Sequence, residues 1–410
     1  MPTHSRSPSE TLDALDPRRP HPRGKRGKSR TARASRRTAG RKSRTHSQAA
    51  GRAGASPCRL TAPGWNELTR AALEKLIREG AGRQLPVVFD FDNTIVYGDI
   101  GEATLALLAR SGRLTPQGLP PTLCPVFRQP GKGRIELSAC ADVLEYYQAF
   151  LAPTAHGSAD PSPLANGYAL AVEIMEGLRV LDVVEATRTA FGLSRAEKPA
   201  FIQVAPGKTA FPVPFFYPEM VELLGELLRH EFAVWIVSAS NVWSVRWMVL
   251  RALNPLLRAR GLDTGIQAER VIGISTLLTD QDERLYKDTL LVREHPGYAA
   301  LDERTLGELW LTSRLQFPLP TYSGKVACIF DLIGRRPYLS AGDGPGDHAM
   351  MAISRHRLWI ARQDKRRHQQ AIASLIRQTG KAGWMIQAAQ AGPAPAFLNH
   401  HPDACGRISA

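Results

Sequence analysis

The chain has 410 residues and a formal net charge of +15, with 43% hydrophobic and 22% charged residues. These values are typical of a globular protein of two or three domains, and the absence of any apolar run of about 18 residues predicts no membrane span. The five cysteines are scattered and form no Cys-x-x-Cys motif. This pattern excludes a zinc knuckle or a disulfide framework and favours a reducing, cytoplasmic location.

The positive charge is concentrated in residues 1–56, which hold 15 Lys and Arg against Glu10, Asp13 and Asp16 and so carry 12 of the 15 net charges. This segment has too few large apolar residues to offset its ordering entropy, so we predict a disordered basic tail. Contact with nucleic acid or anionic lipid is one interpretation. We favour a solvated extension without a partner, because no aromatic residues are interleaved for stacking on bases.

The next elements in chain order are a helix, a strand and a long helical region. An apolar stripe at helical spacing predicts a helix over Asn66–Glu79, and Val87–Phe89 is a short apolar run typical of a buried strand. Residues 99–214 are then predicted to form a mostly helical insert. Its helical patterns, separated by prolines, fall at Glu102–Arg110, Ala139–Leu151, Ala165–Gly177 and Leu181–Phe191.

Strands and helices alternate in the second half of the chain. Strands are predicted at Phe232–Val237, Val271–Ile274, Pro337–Ser340 and Leu358–Ala361, and helices at Pro218–His230, Val242–Leu253, Lys325–Ile333 and Gln363–Thr379. Residues 275–322 form a smaller second insert with short strands expected at Arg284–Tyr286 and Thr289–Val292, and residues 381–410 read as an irregular C-terminal tail. The alternation predicts an α/β fold, a Rossmann-like doubly wound parallel sheet built from residues 57–98 and 215–380.

Two carboxylates follow the first predicted strand. Asp90 and Asp92 stand two residues apart, and at strand spacing their side chains point to the same side. Carboxylates this close repel each other, so a hard divalent cation such as Mg²⁺ is the expected counter-charge, with ion-pair partners as the alternative.

Further polar residues stand at later strand and helix ends: Ser238, Lys325, Asp343 and Asp347. In a doubly wound sheet the carboxyl ends of the strands share one crevice, so these groups are expected to converge with Asp90. Carboxylates, a cation, a lysine and a hydroxyl together form a set suited to phosphoryl transfer.

The local sequences resemble the four motifs of the haloacid dehalogenase superfamily of phosphatases over roughly residues 85–365. Phe-Asp-Phe-Asp-Asn-Thr at 89–94 is similar to its first motif, Val237-Ser238-Ala239-Ser240 to its second, Gly324-Lys325 to its third and Gly342-Asp343-x-x-x-Asp347 to its fourth. A large insert after the first motif resembles the phosphoserine phosphatase-like branch, which carries a helical cap there.

The resemblance implies a role for each motif residue. Asp90 would be the nucleophile that forms an aspartyl-phosphate, and Asp92 the acid and base, which Thr94 helps to orient. Ser238 and Lys325 would hold phosphate oxygens. Mg²⁺ would lie among the carboxylates of Asp90 and Asp343 and the backbone carbonyl of Asp92, with Asp347 in support. An acid at position 92 points to a phosphate ester and not a halide, because a halide leaving group needs no proton.

The substrate is predicted less directly. Asp-Asn-Thr-Ile at 92–95, Asp99 and Glu102 just after it, and Arg336-Pro337 before the fourth motif resemble bacterial phosphorylcholine phosphatases. Asp99 and Glu102 could bind a cationic leaving group, or could stabilise a helix start. Tyr146 and Tyr147 could form an aromatic wall for a quaternary ammonium, or could pack in a core.

The leading hypothesis is therefore a Mg²⁺-dependent hydrolase of a small phosphorylated metabolite. A phosphotransferase of the same superfamily and a nucleic-acid-associated protein anchored by its basic tail are the alternatives. The second alternative is disfavoured by the placement of charge, since the tail is basic and the body is nearly neutral.

Overall fold

The structure, a computed structural model, describes residues 58–119, 123, 126–129, 133–140, 142–155, 167–194, 199–205, 207–208 and 210–400. The predicted disordered tail at residues 1–56 lies outside this range, as do residues 401–410. Among the described residues, no helix is both long enough and apolar enough to cross a bilayer.

The helices and strands of the described part follow one another along the whole chain. The α-helices are α1 Glu67–Gly80, α2 Ile100–Arg110, α3 Val143–Ala155, α4 Gly167–Glu173, α5 Val180–Gly192, α6 Pro218–Arg229, α7 Val242–Trp247, α8 Asn254–Ala259, α9 Asp288–Glu294, α10 Pro296–Ala299, α11 Glu303–Gly307, α12 Ser323–Cys328, α13 His348–Ile353 and α14 Arg366–Thr379. The strands are β1 Pro86–Phe89, β2 Val96–Tyr97, β3 Phe127–Gln129, β4 Gly133–Ile135, β5 Phe201–Gln203, β6 Ala210–Pro212, β7 Phe215–Phe216, β8 Ala233–Asn241, β9 Val271–Ile274, β10 Thr276–Thr279, β11 Leu285–Tyr286, β12 Trp310–Leu315, β13 Leu339–Gly342, β14 His356–Arg362, β15 Trp384–Gln390 and β16 Ala396–Leu398.

A seven-stranded sheet forms the centre of the fold, in the order β16-β15-β14-β13-β1-β8-β9. All neighbours are parallel except β16, which runs antiparallel to β15. Every residue of β1 is buried, as expected for a central strand covered on both faces. The predicted α/β fold with a parallel central sheet is confirmed, and the carboxyl ends of β1, β8, β13 and β14 meet at one edge.

The prediction of an irregular tail from residue 381 is wrong for the described residues up to 400. β15 pairs with β14 over Arg357–Arg362, and Met385, Ala388 and Ala389 are buried. Gln387 also accepts a hydrogen bond from the backbone N–H of Asn66, the cap of α1, at 2.9 Å. The error has a physical cause: alanine has low strand propensity, so its packing between β14 and α1 is decided by tertiary contacts.

The first insert leaves and rejoins the sheet region through a two-stranded ribbon. β2 pairs antiparallel with β7, Val96 opposite Phe216 and Tyr97 opposite Phe215. Between them lie α2 to α5 and two short hairpins, β3–β4 and β5–β6. The region is thus mostly helical in its described part, with strands that the helical pattern did not predict.

The second insert carries a three-stranded antiparallel sheet in the order β11-β10-β12. The strand predicted at Thr289–Val292 is wrong, because these residues lie in α9. A short apolar run is compatible with either a strand or a helix. Here a buried ion pair between Asp288 and Arg246 of α7 holds the start of α9.

The two inserts share one hydrophobic core and several backbone hydrogen bonds. The core joins residues of the first insert, of the second insert and of α7, among them Leu105, Leu170, Val180, Trp243, Leu278, Tyr298 and Leu311. Leu311 N–H donates to the carbonyl of Leu178 at 2.8 Å, and the N–H of Gly177 donates back to Leu311 at 2.9 Å. The inserts therefore form one packed body above the carboxyl edge of the sheet.

Candidate active site

Asp90 lies directly beyond β1 at the carboxyl edge of the sheet. Its backbone N–H donates to the carbonyl of Ala341 in β13 at 2.9 Å, which fixes the residue between the two strands. Its Oδ1 accepts a hydrogen bond from Lys325 Nζ at 2.6 Å and its Oδ2 accepts one from Thr94 Oγ1 at 3.1 Å. The carboxylate is thus held in one orientation from both sides.

Lys325 enters the site from the first turn of α12 and is buried. Its ammonium donates to Asp347 Oδ1 at 2.7 Å as well as to Asp90. The neighbouring Gly324 is required by space, because a Cβ there would lie 1.9 Å from the carbonyl oxygen of Leu319. The small residue before Lys325 lets α12 approach this loop closely enough for the lysine to reach both carboxylates.

The loop after β13 presents Asp343 and Asp347. Asp347 Oδ2 accepts hydrogen bonds from the backbone N–H groups of Asp343 and Gly344, both at 3.1 Å, so this side chain closes the loop on itself. A Cβ at Gly342 would lie 2.4 Å from Asp347 Cγ, which explains glycine before Asp343.

A candidate metal site is formed by three buried carboxylates. Asp90, Asp343 and Asp347 each offer an oxygen, and these oxygens lie within 4.8 Å of one another. Buried oxygen donors with a surplus of negative charge suit a hard divalent cation such as Mg²⁺. The side chain of Asp92, the fourth predicted residue, is not part of this cluster, and the contribution of its backbone carbonyl stays a prediction.

The carboxylates at this site are held close together away from water. Burial, followed by the charges of Asp347 and Asp343, raises the pKa of Asp90 to about 8, against the opposing charge of Lys325. Burial and Asp347 raise the pKa of Asp343 to about 6, although Arg362 lowers it. Burial would lower the pKa of Lys325, but Asp347 and Asp90 outweigh it and the pKa is raised. A bound cation would favour the ionised carboxylates.

Asp92 faces the first turn of α2 and the end of β8. Its Oδ1 accepts from the N–H of Ile100 at 2.8 Å, and its Oδ2 accepts from Ser240 Oγ at 2.7 Å and from Ser238 Oγ at 3.2 Å. Burial, then the charges of Asp99 and Asp90, raise its pKa well above the ordinary value. The protonated form, which an acid catalyst needs at neutral pH, is favoured here.

Two predicted contacts differ from those in the structure. Thr94 donates to Asp90 and not to Asp92, because the tight loop after β1 brings the Thr94 hydroxyl back to the carboxylate of Asp90, four residues earlier in the chain. Ser238 is fully buried, donates to Asp92 and does not line the cavity, whereas Ser240 does. The hydroxyl of Thr94 thus orients Asp90 and that of Ser238 orients Asp92, and the contact of Ser238 with phosphate stays a prediction.

Asp99 and Glu102 lie at the start of α2 and face the same cavity as Asp90. Asp99 caps the helix, accepting from the Glu102 N–H at 2.8 Å, and also accepts from Ser240 Oγ at 3.3 Å. Burial and the charge of Asp99 raise the pKa of Glu102 to about 8. Among the described residues, neither acid has a Lys or Arg ion-pair partner within 4.0 Å, so both carboxyls are available to a ligand.

Tyr146 and Tyr147 are core residues, as the packing alternative predicted, and neither lines the cavity that contains Asp90. Both are almost completely buried, and the hydroxyl of Tyr147 donates to Glu102 Oε1 at 3.4 Å. The tyrosines that line the cavity are instead Tyr168 of α4 and Tyr322, just before α12.

The cavity has a volume of about 940 Å³ and opens over the carboxyl edge of β1, β13 and β14. Its walls include side chains that sequence reasoning missed: Tyr168, Ser240, Tyr322, Arg362, Lys365, Arg366, Arg367 and His368. Arg362 ends β14 and donates to Asp343 Oδ2 at 3.3 Å and to Asp364 Oδ2 at 2.9 Å. Its position at the next strand end after the fourth motif is the one sequence signal that could have identified it.

The sequence is similar to one curated enzyme of known activity. It is 25% identical over 339 residues to the phosphorylcholine phosphatase of Pseudomonas aeruginosa, a match that covers 78% of this chain and 86% of that protein. No protein-family model matches the sequence.

The fold is similar to that of solved structures. A conserved protein of unknown function from Anaerococcus prevotii superposes with a TM-score of 0.56 and 18% identity, over 83% of this chain and 97% of that one. A substrate-bound phosphoserine phosphatase structure, with 13% identity over 68% of this chain and 86% of its own, reaches a TM-score of only 0.34 and supports no detailed comparison.

Proposed function

We propose that this chain is a Mg²⁺-dependent phosphomonoester hydrolase that works through an aspartyl-phosphate on Asp90 and prefers a small substrate with a cationic head group. The observation that carries the proposal is the convergence of Asp90, Lys325, Asp343 and Asp347 from separate parts of the chain at the base of one cavity. The four motifs that resemble the haloacid dehalogenase superfamily and the similarity to a phosphorylcholine phosphatase support it.

The first half of the reaction transfers the phosphoryl group to the protein. An oxygen of Asp90 forms a bond to phosphorus while the bond from phosphorus to the leaving oxygen breaks, and Asp92 gives its proton to that oxygen. Lys325 donates to Asp90 and opposes the rise in its pKa, and a bound cation would further favour the anionic form that attacks phosphorus. Mg²⁺, held by Asp90, Asp343 and the carbonyl of Asp92, would neutralise the charge that the carboxylates and the phosphate bring together.

The second half returns the protein to its starting state. Asp92, now ionised, accepts a proton from water as the water oxygen bonds to phosphorus, and the bond between phosphorus and Asp90 breaks to release inorganic phosphate. Ser240 and Ser238 hold the Asp92 carboxyl through both steps. Asp92 thus gives and regains one proton in each turnover.

The preference for a cation follows from the wall of the cavity beside the leaving group. Asp99 and Glu102 bring two carboxyls without Lys or Arg partners within 4.0 Å among the described residues, and Tyr168 and Tyr322 line the same cavity. A cation beside aromatic rings gains about 0.5–2 kcal/mol, and a nearby carboxylate adds to it. Choline, ethanolamine and serine esters of phosphate are the substrates of this class to test first.

The test is the release of inorganic phosphate from phosphocholine, phosphoethanolamine, phosphoserine and neutral phosphoesters, with Mg²⁺ and with excess chelator. We expect turnover only when Mg²⁺ is present, and we expect kcat/KM to be highest for the cationic esters. Asp90→Asn is the matched control, since its shape is conserved but its amide cannot act as the anionic nucleophile; we expect a loss of more than about a thousandfold. Turnover that survives in chelator, or in Asp90→Asn, would contradict the proposal.

A further inference from the structure

Three exposed cations, Lys365, Arg366 and Arg367, line the mouth of the cavity that contains Asp90; we call them the cationic rim. They lie at the junction of β14 and α14, on the sheet side of the cavity. Among the described residues, none of the three has an acidic partner within 4.0 Å. The neighbouring acid, Asp364, is engaged by Arg362 at 2.9 Å.

The cationic rim and the acidic wall belong to one cavity but to different parts of the chain. Asp99 and Glu102 start α2 of the first insert, whereas the rim follows β14. The charge of Lys365 acts on Glu102, whose pKa it lowers against the larger effect of burial. A ligand in the cavity therefore meets acids on one side and unpaired cations on another.

The size of the cavity leaves room for a group at the rim. Its volume of about 940 Å³ is near the upper end of the range of about 300–1,000 Å³ for sites of drug-sized ligands. A phosphate ester as small as phosphocholine would not fill it. Arginine recognises carboxylates and phosphates through two parallel hydrogen bonds, so Arg366 and Arg367 suit an anionic group in the remaining space.

We propose that the cationic rim is a second anion-binding subsite, which takes a carboxylate or a further phosphate carried by the leaving group of the substrate. The inference rests on the proposed function of Asp90, which would bind the reacting phosphate. It adds a requirement to that function: the preferred leaving group carries an anion in addition to its cation.

The main competing explanation is long-range attraction of any phosphate ester by the positive charge at the mouth. The two explanations differ in selectivity, because attraction acts on the reacting phosphate of every substrate and a subsite acts on the additional anion. Matched substrate pairs that differ by one anionic group separate them. Phosphoserine and phosphoethanolamine differ by a carboxylate; the bisphosphate and monophosphate of propane-1,3-diol differ by a phosphate.

The variant combines Lys365→Gln, Arg366→Gln and Arg367→Gln, all at exposed positions. The control removes the same charge elsewhere on exposed residues, with Lys75→Gln, Arg377→Gln and Lys381→Gln. In the rim variant we expect KM to rise about tenfold more for the ester with the additional anion than for its partner, in at least one of the two pairs. We expect kcat to be unchanged. We expect the control to leave each ratio within about twofold of the wild type.

The pair that responds identifies the anion, carboxylate or phosphate. Equal changes in KM for both members of both pairs would overturn the subsite and leave attraction as the explanation. If the wild type hydrolyses none of the four esters, the proposed function fails. The affinities of the wild type and the rim variant for the same esters, measured by calorimetry, then test the anion-binding subsite separately. A selective loss of affinity in the rim variant would uphold the subsite, and equal affinities would overturn it.

Discussion

At the scale of residues, the site is held together by side chains that each bridge two others. Lys325 joins Asp90 to Asp347, and Ser240 donates to Asp92 at 2.7 Å while lying 3.3 Å from Asp99. The hydroxyl of Ser240 has one proton to share, so Asp92, the proposed acid, and Asp99 of the cavity wall are linked through it.

Glu102 gives a prediction for pH dependence. Because its pKa is raised to about 8 in the unliganded protein, it is mostly neutral at pH 6.5 and mostly ionised at pH 9. A cationic head group is bound better by the ionised form. We therefore expect the ratio of KM for phosphocholine to KM for a neutral phosphoester to fall roughly fivefold to tenfold between these pH values.

The titration of Asp90 and Asp92 changes KM for both substrates alike, so it does not alter the ratio of the two KM values. Glu102→Gln should reduce the change in this ratio with pH, and what remains would come from Asp99, whose pKa is also raised by burial. A ratio that is flat in the wild type would show that Glu102 does not recognise the head group.

The motif residues could be predicted from the sequence because each lies next to a strong local signal, a buried strand or a helix start. Tyr168 could not, since what places it at the site is the packing of distant elements. Tyr147 and Tyr168 show the limit well: both are tyrosines on helices of the first insert, and burial by tertiary contacts alone decides which one reaches the cavity.

At the scale of elements, a buried polar cluster fastens the second insert to the helix that follows β8. Arg246 of α7 makes two hydrogen bonds of 2.8 Å to Asp288 of α9, Tyr298 donates to the same carboxylate at 2.6 Å, and Trp243 donates to Tyr298 at 2.8 Å. The pattern of apolar residues predicted neither this cluster nor α9, because a buried ion pair depends on a partner 42 residues away.

Removal of Asp288 should be strongly destabilising. Asp288→Ala leaves the guanidinium of Arg246 buried without its counter-charge, and we expect a loss of about 3–5 kcal/mol in the free energy of unfolding, measured in urea. The control is Glu303→Ala, which breaks an exposed ion pair with Arg188 and should cost no more than about 1 kcal/mol. Similar losses in the two variants would show that the buried pair does not stabilise the fold.

At the scale of the whole molecule, metal binding and pH should act together on stability. The raised pKa values of Asp90 and Glu102, about 8 each, mean that the metal-free folded protein holds protons that the unfolded chain releases above about pH 4.5. Its stability should therefore fall as pH rises from about 5 to 8.

A bound cation replaces the proton as the counter-charge on Asp90. We expect the increase in Tm produced by Mg²⁺ to be larger at pH 8.5 than at pH 6, measured by calorimetry. Asp343→Ala should abolish this increase. An increase of the same size at both pH values would argue against proton release from the carboxylate cluster.

The basic tail gives a second prediction at this scale. Residues 1–56 hold 12 of the 15 net charges and none of the motif residues. Deletion of these residues should leave kcat/KM on a small phosphoester within about twofold of the wild type, and should weaken binding to DNA or anionic vesicles at low salt. A large loss of turnover in the truncated protein would show that the tail takes part in the reaction.

The packing between the two inserts constrains how this protein can be recombined. The two inserts, within 99–214 and 275–322, are separated in the chain but share one hydrophobic core, in which Leu170 of the first and Leu311 of the second both lie. A chimera that exchanges the first segment alone would leave Leu278, Tyr298 and Leu311 facing side chains of the wrong shape. An exchange of the acidic wall that Asp99 and Glu102 form therefore requires both segments to be exchanged together, because each supplies part of the other's core.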